Sequence, residues 1–574
     1  MPRLARRAGQ WLVAGVLALA GVGVAVLKPL GVDHWNWLAV VVLAVAAVAA
    51  VVGKLTLARM EREDKHRDET RQVVSSGALR EGRVRVGELS DPTVLGVHRA
   101  VTPHGTSLEG AAGDEAELLE GVPVYVPRDR HEEVVAALKP GAFVLLVGDS
   151  AAGKSRLAFE ATREVLGKHR LFVPEPQALA AVINEAATER RALLWLDDLE
   201  RFLTGDNSLN VTMLDRLLNH PDKHRRVVIA TLRLQEQHLL DSTPDSDRGL
   251  DENRRRVLAM ATRIHIERTF TPTELNRAQH RDQDPRIAEA LSHTDDYGLA
   301  EYLAAGPQLL RRWHDGRAAS TNPRGAALVT AAVECRRAGF LSPLPRAMLT
   351  ELHTYYLPTG KRARPEAPDK AWAWATQPWR HTTALLEPLD ADPDHVTVFD
   401  YIVDHTQRTT PPSEPPPEHL IHIALTHATA TDTTLIGHQA RRTGRYPLAS
   451  IAYTQALTHH TSPEHPDTLT SRNNRANVMR ALGRLEEAET EHSSVLETQS
   501  RILGPEHPDT LISRNNRARV LYDLGRLEEA ETEHSSVLET RTRILGPEHP
   551  DTLISRNNLA SVMRALGRQE EISG

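Results

Sequence analysis

A glycine-rich segment carries the clearest chemistry in this chain. It follows an apolar run, residues 143–147, and precedes a stretch of helical character, residues 156–166. Glycines let backbone N–H groups close around phosphate oxygens, a lysine supplies a cation to the β- and γ-phosphates, and a serine hydroxyl can bind Mg²⁺. The strand, loop and helix context therefore predicts a site for ATP or ADP with Mg²⁺. The predicted cofactor-binding residues are Gly148, Asp149, Ser150, Ala151, Ala152, Gly153, Lys154 and Ser155.

Two later apolar runs end in residues suited to the same site. The run that begins at Ala192 ends in Asp197 and Asp198, and a third run ends in Arg233. A magnesium site needs a carboxylate beside the phosphate loop, so we expect Asp197 to bind the metal with Ser155. Asp198 is the catalytic candidate for orienting the attacking water, and Arg233 the candidate for facing the γ-phosphate. A solvated strand end is the alternative for the aspartates, and an exposed strand-end arginine is an equal alternative for Arg233.

These residues resemble the signal-transduction ATPases with numerous domains, or STAND NTPases, which are relatives of the AAA-plus proteins. The resemblance covers about residues 121–405 and is strongest at the phosphate loop, the paired aspartates and the Thr-x-Arg strand end. It implies slow ATP hydrolysis and nucleotide-dependent homo-oligomerisation. In this family a short motif before the phosphate loop contacts the base. Residues 125–129 resemble that motif, which makes Arg128 a further cofactor-binding candidate.

The same resemblance implies a helical segment followed by a winged helix. Residues 385–389 and 396–400, on either side of a turn, suggest the hairpin of such a domain. Family members carry Met-His-Asp where this chain has Val398-Phe399-Asp400, and Phe399 cannot donate a hydrogen bond to a phosphate. Because winged helices also bind DNA, a transcription regulator is one alternative function.

Composition argues against nucleic acid as a partner. The chain has 69 Lys and Arg against 76 Asp and Glu, a net charge of −7, and the winged-helix-like segment shows no basic recognition stripe. The single cysteine, Cys335, excludes an internal disulfide and a Cys-rich zinc module.

Two apolar runs near the N-terminus predict a transmembrane hairpin. They cover residues 11–27 and 35–53, each near the short end of the about 17 to 25 residues that span a bilayer. Lys and Arg flank the pair and are scarce between the runs, which places both ends in the cytoplasm. The prediction is an inner (plasma) membrane protein with two spans in contact with lipid. A cleaved signal peptide or an interfacial segment is the alternative.

A repeat with a step of 42 residues occupies the C-terminal part. The sequence His-Pro-Asp-Thr-Leu begins at His465, His507 and His549. Each unit holds two helical stretches broken at Gly-Arg and resembles the tetratricopeptide repeat in its longer, kinesin-light-chain-like form. Arg475 and Arg517 stand where a leucine is usual in this repeat, which predicts weaker packing in the middle copies.

The first two full copies differ at seven positions, four of them within the five residues that begin at Asn477. Three of these four share one helix face, which lines a concave groove in such repeats. The groove is therefore predicted to read a protein or peptide ligand, with chance drift as the alternative. The predicted partner-binding residues are Asn473, Asn477, Arg480, Asn515, Arg519, Tyr522 and Asn557.

The predicted fold class is a transmembrane helical hairpin, an α/β P-loop NTPase with helical and winged-helix-like segments, and an all-α tetratricopeptide solenoid. The predicted boundaries are 1–54 for the tail and two spans, 55–120 for the juxtamembrane segment and linker, 121–270 for the NTPase core, 271–325 for the helical segment, 326–410 for the winged-helix-like domain, 411–417 for a Pro-rich linker and 418–574 for the repeats.

The resemblances imply a membrane-anchored, ATP-dependent signalling switch. In that scheme a ligand on the repeats releases ADP, ATP then drives oligomerisation, and the N-terminal module acts as output. Bacterial relatives built this way are associated with signalling and antiphage defence. The alternative from another class is a membrane-tethered scaffold that binds ATP only structurally.

Overall fold

The computed structural model describes most of the chain beyond residue 83. The described ranges are residues 84–89, 91–103, 122–203, 208–219, 225–235, 237, 252–318, 321–359, 365–380, 382–389, 392–411, 413–459 and 462–568. The chain divides into two compact units, residues 1–80 and 81–574, and all described residues belong to the second. The predicted membrane spans therefore lie outside the described residues. Within the ranges given above, no helix is long and apolar enough to cross a bilayer.

A parallel five-stranded sheet forms the first domain of the described chain, with the strand order β2-β3-β4-β1-β5. The strands are β1 Phe143–Gly148, β2 Arg170–Phe172, β3 Arg191–Leu196, β4 Arg225–Arg233 and β5 Thr262–His265. The helices of this domain are α1 His131–Ala137, α2 Lys154–Leu166, α3 Leu179–Ala186, α4 Val211–Leu218 and α5 Glu252–Ala259. Every residue of β1 is buried, as expected for a parallel strand that is covered on both faces.

The strand order brings the carboxyl ends of β3, β4 and β1 side by side. Gly148 at the end of β1 is in register with Arg233 at the end of β4, and Leu196 of β3 is in register with Ala230 of β4. Ligands of open parallel sheets bind at these carboxyl ends. The three strands expected from the apolar runs, β1, β3 and β4, are present. The sequence does not predict β2, because three residues are too few for a periodic signal.

A helical segment and a small mixed domain follow the sheet. Their helices are α6 Pro272–Gln279, α7 Pro285–Leu291, α8 Leu299–Leu303, α9 Gly306–Gly316, α10 Pro323–Arg337, α11 Arg346–Leu352, α12 Pro368–Thr376 and α13 Asp400–Thr409. Their strands are β6 Leu344–Pro345, β7 Leu386–Leu389 and β8 Asp392–Val398. Strands β7 and β8 pair antiparallel, which confirms the predicted hairpin, and β6 pairs with the other edge of β8.

The start of α6 shows how the sequence sets a helix boundary. The Thr271 hydroxyl accepts a hydrogen bond from the Glu274 backbone N–H, and the Glu274 carboxylate accepts one from the Thr271 N–H. Pro272 occupies the first helical position, where its missing N–H costs nothing. This is a capping box, and it fixes where the helical segment leaves the sheet domain.

The C-terminal part is a solenoid of paired helices. They are α14 Glu418–His427, α15 Ala430–Arg442, α16 Tyr446–His459, α17 Pro466–Ala481, α18 Leu485–Ile502, α19 Pro508–Asp523, α20 Leu527–Leu545 and α21 Pro550–Ala565. The recurring histidine explains part of the motif. The Nδ1 atoms of His465, His507 and His549 each accept a hydrogen bond from the backbone N–H two residues on, so each histidine caps the helix that follows.

The arginines at the usual leucine positions are held by ion pairs between helices. Arg475 of α17 lies 3.1 Å from Glu491 of α18. Arg517 of α19 lies 3.0 Å from Glu489 and 3.3 Å from Glu533, so it links the helix before it to the helix after it. The guanidinium groups thus replace apolar packing with charged contacts, both within a repeat and, through Arg517 and Glu489, between neighbouring repeats.

Candidate nucleotide-binding site

The glycine-rich loop between β1 and α2 closes around a lysine. Backbone dihedrals in the left-handed region, φ 58° at Ala151 and φ 87° at Gly153, turn the chain tightly before α2 begins. The Lys154 Nζ atom donates to the carbonyl oxygens of Gly148, at 2.9 Å, and Asp149, at 2.7 Å. Only 7% of Lys154 is exposed. The ammonium group therefore lies inside the loop, at the N-terminus of α2. A phosphate bound there would be stabilised by the lysine charge and by the partial positive charge of the helix N-terminus.

Asp197 joins the loop to the neighbouring strand. Its Oδ1 accepts hydrogen bonds from the Ser155 hydroxyl at 2.9 Å and from the Thr231 hydroxyl at 2.8 Å. Burial and the nearby charge of Asp198 raise the pKa of Asp197 to about 7, although both hydroxyls and Lys154 oppose that rise. A divalent cation bound beside this carboxylate would stabilise its ionised form. The predicted magnesium ligands, Ser155 and Asp197, are thus in contact.

The donor set fits a nucleotide-bound Mg²⁺ better than an independent metal site. Over the described ranges, no group of three or more His, Cys, Asp or Glu side chains is placed to hold a metal ion. Magnesium at such loops is bound through one or two protein oxygens together with phosphate oxygens and water. Ser155 and Asp197 supply the protein oxygens, and the remaining ligands would come from the nucleotide and solvent.

Asp198 and Arg233, the two catalytic candidates, have different surroundings. Asp198 lines the cavity beside the loop, and its backbone N–H donates to the Thr231 hydroxyl at 2.9 Å, with φ at 54°. The Arg233 Nε donates to the Glu200 carboxylate, and its Nη1 lies 3.8 Å from Asp404. Burial disfavours the guanidinium charge, but these carboxylates raise the pKa of Arg233 well above its usual value. The arginine therefore acts first as the centre of a buried ion-pair network.

Asp404 is a site residue that sequence reasoning missed. It lies on α13, in the winged-helix-like domain, and only 1% of it is exposed. Its Oδ2 accepts a hydrogen bond from the backbone N–H of Ser150 in the loop at 2.7 Å. Four residues on, Arg408 lies 3.2 Å from Asp149. Helix α13 thus contacts the loop twice, across more than 250 residues of sequence. No local pattern could have indicated this.

Arg128 holds the loop through a contact with its backbone. Its Nη1 donates to the Ala152 carbonyl oxygen at 2.7 Å, and its Nε donates to Glu274 at 3.0 Å. The guanidinium carbon lies 4.1 Å from the centre of the Phe270 ring, and 5% of the residue is exposed. Arg128 also lines the cavity. Its bonds connect the loop to the capping box of α6.

A cavity of about 170 Å³ lies at the loop. It is lined by the loop itself, by both aspartates, by Asp400 at the start of α13, by α8 and by an N-terminal stretch around Gly96. Phe399 is 4% exposed and packs against the rings of His98 and Tyr401. The cavity is therefore built from the sheet domain, the helical segment and the winged-helix-like domain together.

The predicted groove residues lie on the first helices of the repeats, and the structure explains some of them through contacts between copies. The amide of Asn516 donates to Asn473 at 3.5 Å, and that of Asn558 donates to Asn515 at 2.9 Å. The Arg480 Nε donates to Asp523 of the next copy at 2.7 Å. Among the remaining candidates, Asn557 and Tyr522 are exposed, and Asn477 and Arg519 are half-buried.

Comparison with known proteins identifies the repeats. The tetratricopeptide repeat family matches residues 428–490, 467–532 and 512–573, which confirms the predicted repeats in the C-terminal region. A solved structure of a STAND protein with a tetratricopeptide repeat sensor, from Pyrococcus horikoshii, is similar at 12% identity over 78% of this chain and 76% of that chain, with a TM-score of 0.31. BtubC from P. vanneervenii is similar at 23% identity over 30% of this chain and 73% of that chain, with a TM-score of 0.26. Comparison with curated protein sequences finds no match.

Proposed function

We propose that this chain is an ATP-dependent switch of STAND type that senses a protein or peptide ligand through its repeats. The observation that carries the proposal is the cluster at the carboxyl edge of the sheet: a buried lysine inside a glycine-rich loop, next to a hydroxyl and carboxylate that contact each other. Loops of this kind bind the phosphates of ATP or ADP together with Mg²⁺. Lys154 would hold the β- and γ-phosphates, and Ser155 with Asp197 would hold the metal.

The contacts of α13 suggest how such a site switches. The Ser150 N–H, which a phosphate oxygen would attract, donates to Asp404. Burial raises the pKa of Asp404 to about 6, with Arg233 and the Ser150 hydrogen bond acting in the other direction. A nucleotide in the loop would compete with Asp404 for the same donor. Occupancy would thereby alter the position of the winged-helix-like domain, and with it the surface available for nucleotide-dependent homo-oligomerisation.

The N-terminal runs complete the proposal. Residues 11–27 and 35–53 would form a two-span hairpin in the inner (plasma) membrane, in contact with lipid, with the remaining domains in the cytoplasm. The hairpin would then be the anchor or the output of the switch. Signalling in bacterial defence is the process that the STAND resemblance favours for a protein of this design.

The proposal is tested by nucleotide titration and particle size on the detergent-solubilised chain. Lys154→Ala should raise the Kd for ADP at least about tenfold, because one charge-assisted contact is worth about 1.5 to 3 kcal/mol. Lys139→Ala, which removes an exposed lysine just before β1, is the matched control and should bind as the wild type does. Equal Kd values for the two variants would refute the nucleotide site.

Light scattering with ATP and ADP separates the remaining functions. A switch changes its oligomer size between the two nucleotides. A membrane-tethered scaffold binds ATP at constant size, and a winged-helix regulator binds duplex DNA whatever the nucleotide. The first outcome supports the proposal, and either of the others replaces it.

A further inference from the structure

A short segment upstream of the sheet domain lies across the candidate nucleotide cavity. We call residues 91–103 the strap. At one end Leu95, 2% exposed, packs in the core of the sheet domain. At the other end the Val101 N–H donates to the Leu303 carbonyl oxygen at 2.8 Å, and the Thr102 N–H donates to the Arg380 carbonyl oxygen at 3.3 Å. The strap therefore connects the sheet domain with the helical segment and the winged-helix-like domain, and its middle forms one wall of the cavity.

Gly96, in the middle of the strap, lies directly against Asp197. A Cβ atom built at Gly96 would lie 1.8 Å from the Asp197 Oδ2, and φ at this glycine is +81°. The other carboxylate oxygen, Oδ1, is held by Ser155 and Thr231. The remaining carboxylate oxygen, Oδ2, is therefore the one that faces the strap. Only glycine fits this position, because any side chain would displace either the strap or the carboxylate.

His98 is the polar side chain that the strap presents to the cavity. Its ring packs edge-on against Phe399, with the ring centres 5.4 Å apart, and the residue is exposed. Among the groups that the structure describes, none forms a hydrogen bond with the His98 ring nitrogens. The ring lines the same cavity as Lys154 and Asp400. An imidazole N–H in this place is available to donate to a phosphate oxygen.

We propose that the strap is a movable wall of the nucleotide site, that His98 contacts the bound nucleotide, and that the strap must lift for the nucleotide to exchange. The inference rests on the proposed function and concerns the control of nucleotide exchange at that site.

Two glycines allow a matched test. Gly96 and Gly141 are both exposed and both have φ +81°, so replacement by alanine imposes the same backbone strain at each. The alanine Cβ would collide with Asp197 only at position 96, because the nearest atom at position 141 is the Leu218 carbonyl oxygen at 3.6 Å. The experiment measures release of a fluorescent ADP analogue, in Mg²⁺, from the full-length chain in detergent. Gly96→Ala should release it at least about tenfold faster than wild type, and Gly141→Ala within about twofold of wild type.

A second measurement keeps the proposal testable if Gly96→Ala does not fold. In the wild type, ADP with Mg²⁺ should slow hydrogen exchange at the Val101 and Thr102 amides. The His98→Ala variant should release ADP faster than the wild type, and His98→Gln should release it at an intermediate rate because the amide restores part of the contact. Equal rates of ADP release from the two glycine variants would overturn the proposal that the strap moves. A hydrogen-exchange rate at the Val101 and Thr102 amides that does not change with nucleotide would overturn it as well. Failure of the wild type to bind the analogue at all would instead overturn the proposed function.

Discussion

Two buried histidines make the repeats sensitive to acid. His492 of α18 and His534 of α20 are 0% and 1% exposed. Both ring nitrogens of His492, and Nδ1 of His534, are buried and have no hydrogen-bond partner among the residues that the structure describes. Burial lowers the pKa of His492 to about 3, and Arg480 and Arg519 add to this effect. Burial also lowers the pKa of His534 to about 4, with Arg519 and Arg541 adding to it. Both rings are therefore neutral in the folded repeats.

The sign of the pH effect follows from where the protons bind. In an unfolded chain histidine has a pKa of about 6.5, so below that pH the unfolded state binds protons that the folded state excludes. The stabilisation is complete above pH 6.5 and is lost as the pH falls toward the folded pKa values. At pH 5 the unfolded state gains about 2 kcal/mol for each ring, since one pH unit is worth 1.36 kcal/mol.

Hydrogen exchange by mass spectrometry can measure this loss region by region. After correction for the intrinsic pH dependence, peptides from α18 and α20 should exchange about 30-fold faster at pH 5 than at pH 7.5. His492→Leu should remove this acceleration from α18. His459→Leu, which makes the same change at an exposed position of α16, should leave it unchanged. If α18 of the wild type and of His492→Leu respond equally to pH, the ring is not held neutral and the reasoning fails.

Three further predictions concern the candidate site and the groove. Asp197→Asn should weaken Mg²⁺-dependent ADP binding, because Asp197 is the aspartate that contacts Ser155, whereas Asp198→Asn should chiefly reduce ATP turnover. Equal loss of ADP binding in both variants would contradict these roles. Arg128→Ala should lower the free energy of unfolding by about 3 to 5 kcal/mol, because it leaves Glu274 buried without its charge partner, and a chemical denaturation curve that does not move would contradict this. Giving the first full repeat the groove face of the second should change the Kd for a bound peptide while costing less than about 1 kcal/mol of stability, because the ion pair that it breaks is partly exposed. The three changes in that variant are Asn477→Arg, Arg480→Tyr and Ala481→Asp.

Local sequence was sufficient where neighbours along the chain decide the structure. The loop from Gly148 to Ser155 is set by its own glycines and by the strand and helix that flank it. The capping box at Thr271 and the histidine caps of the repeats likewise depend on atoms within three residues. Because the residues that make these contacts are neighbours along the chain, the sequence pattern alone predicts the contacts that the structure shows.

Groove residues show where a local pattern is incomplete. The sequence shows that the first two copies diverge near Arg480, and it favours a ligand-reading surface there. The structure pairs Arg480 with Asp523 of the next copy, so part of the divergence joins neighbouring repeats. Arg480 and Asp523, 43 residues apart, become neighbours only when the helices stack, and the sequence of a single unit does not contain that contact.

The sequence by itself determined the phosphate-type loop, the strands around it and the repeat of 42 residues, because each depends on local spacing or on periodic burial. Only the tertiary structure decided which distant groups complete the site. Asp404 reaches the Ser150 amide, Arg128 ties Ala152 to Glu274, and Gly96 closes on Asp197. These contacts join segments that are many residues apart. They form because the helical segment and the winged-helix-like domain share one apolar core, and Ala151 of the loop and Phe270 pack against it, which fixes the polar groups that meet at the edge of the sheet.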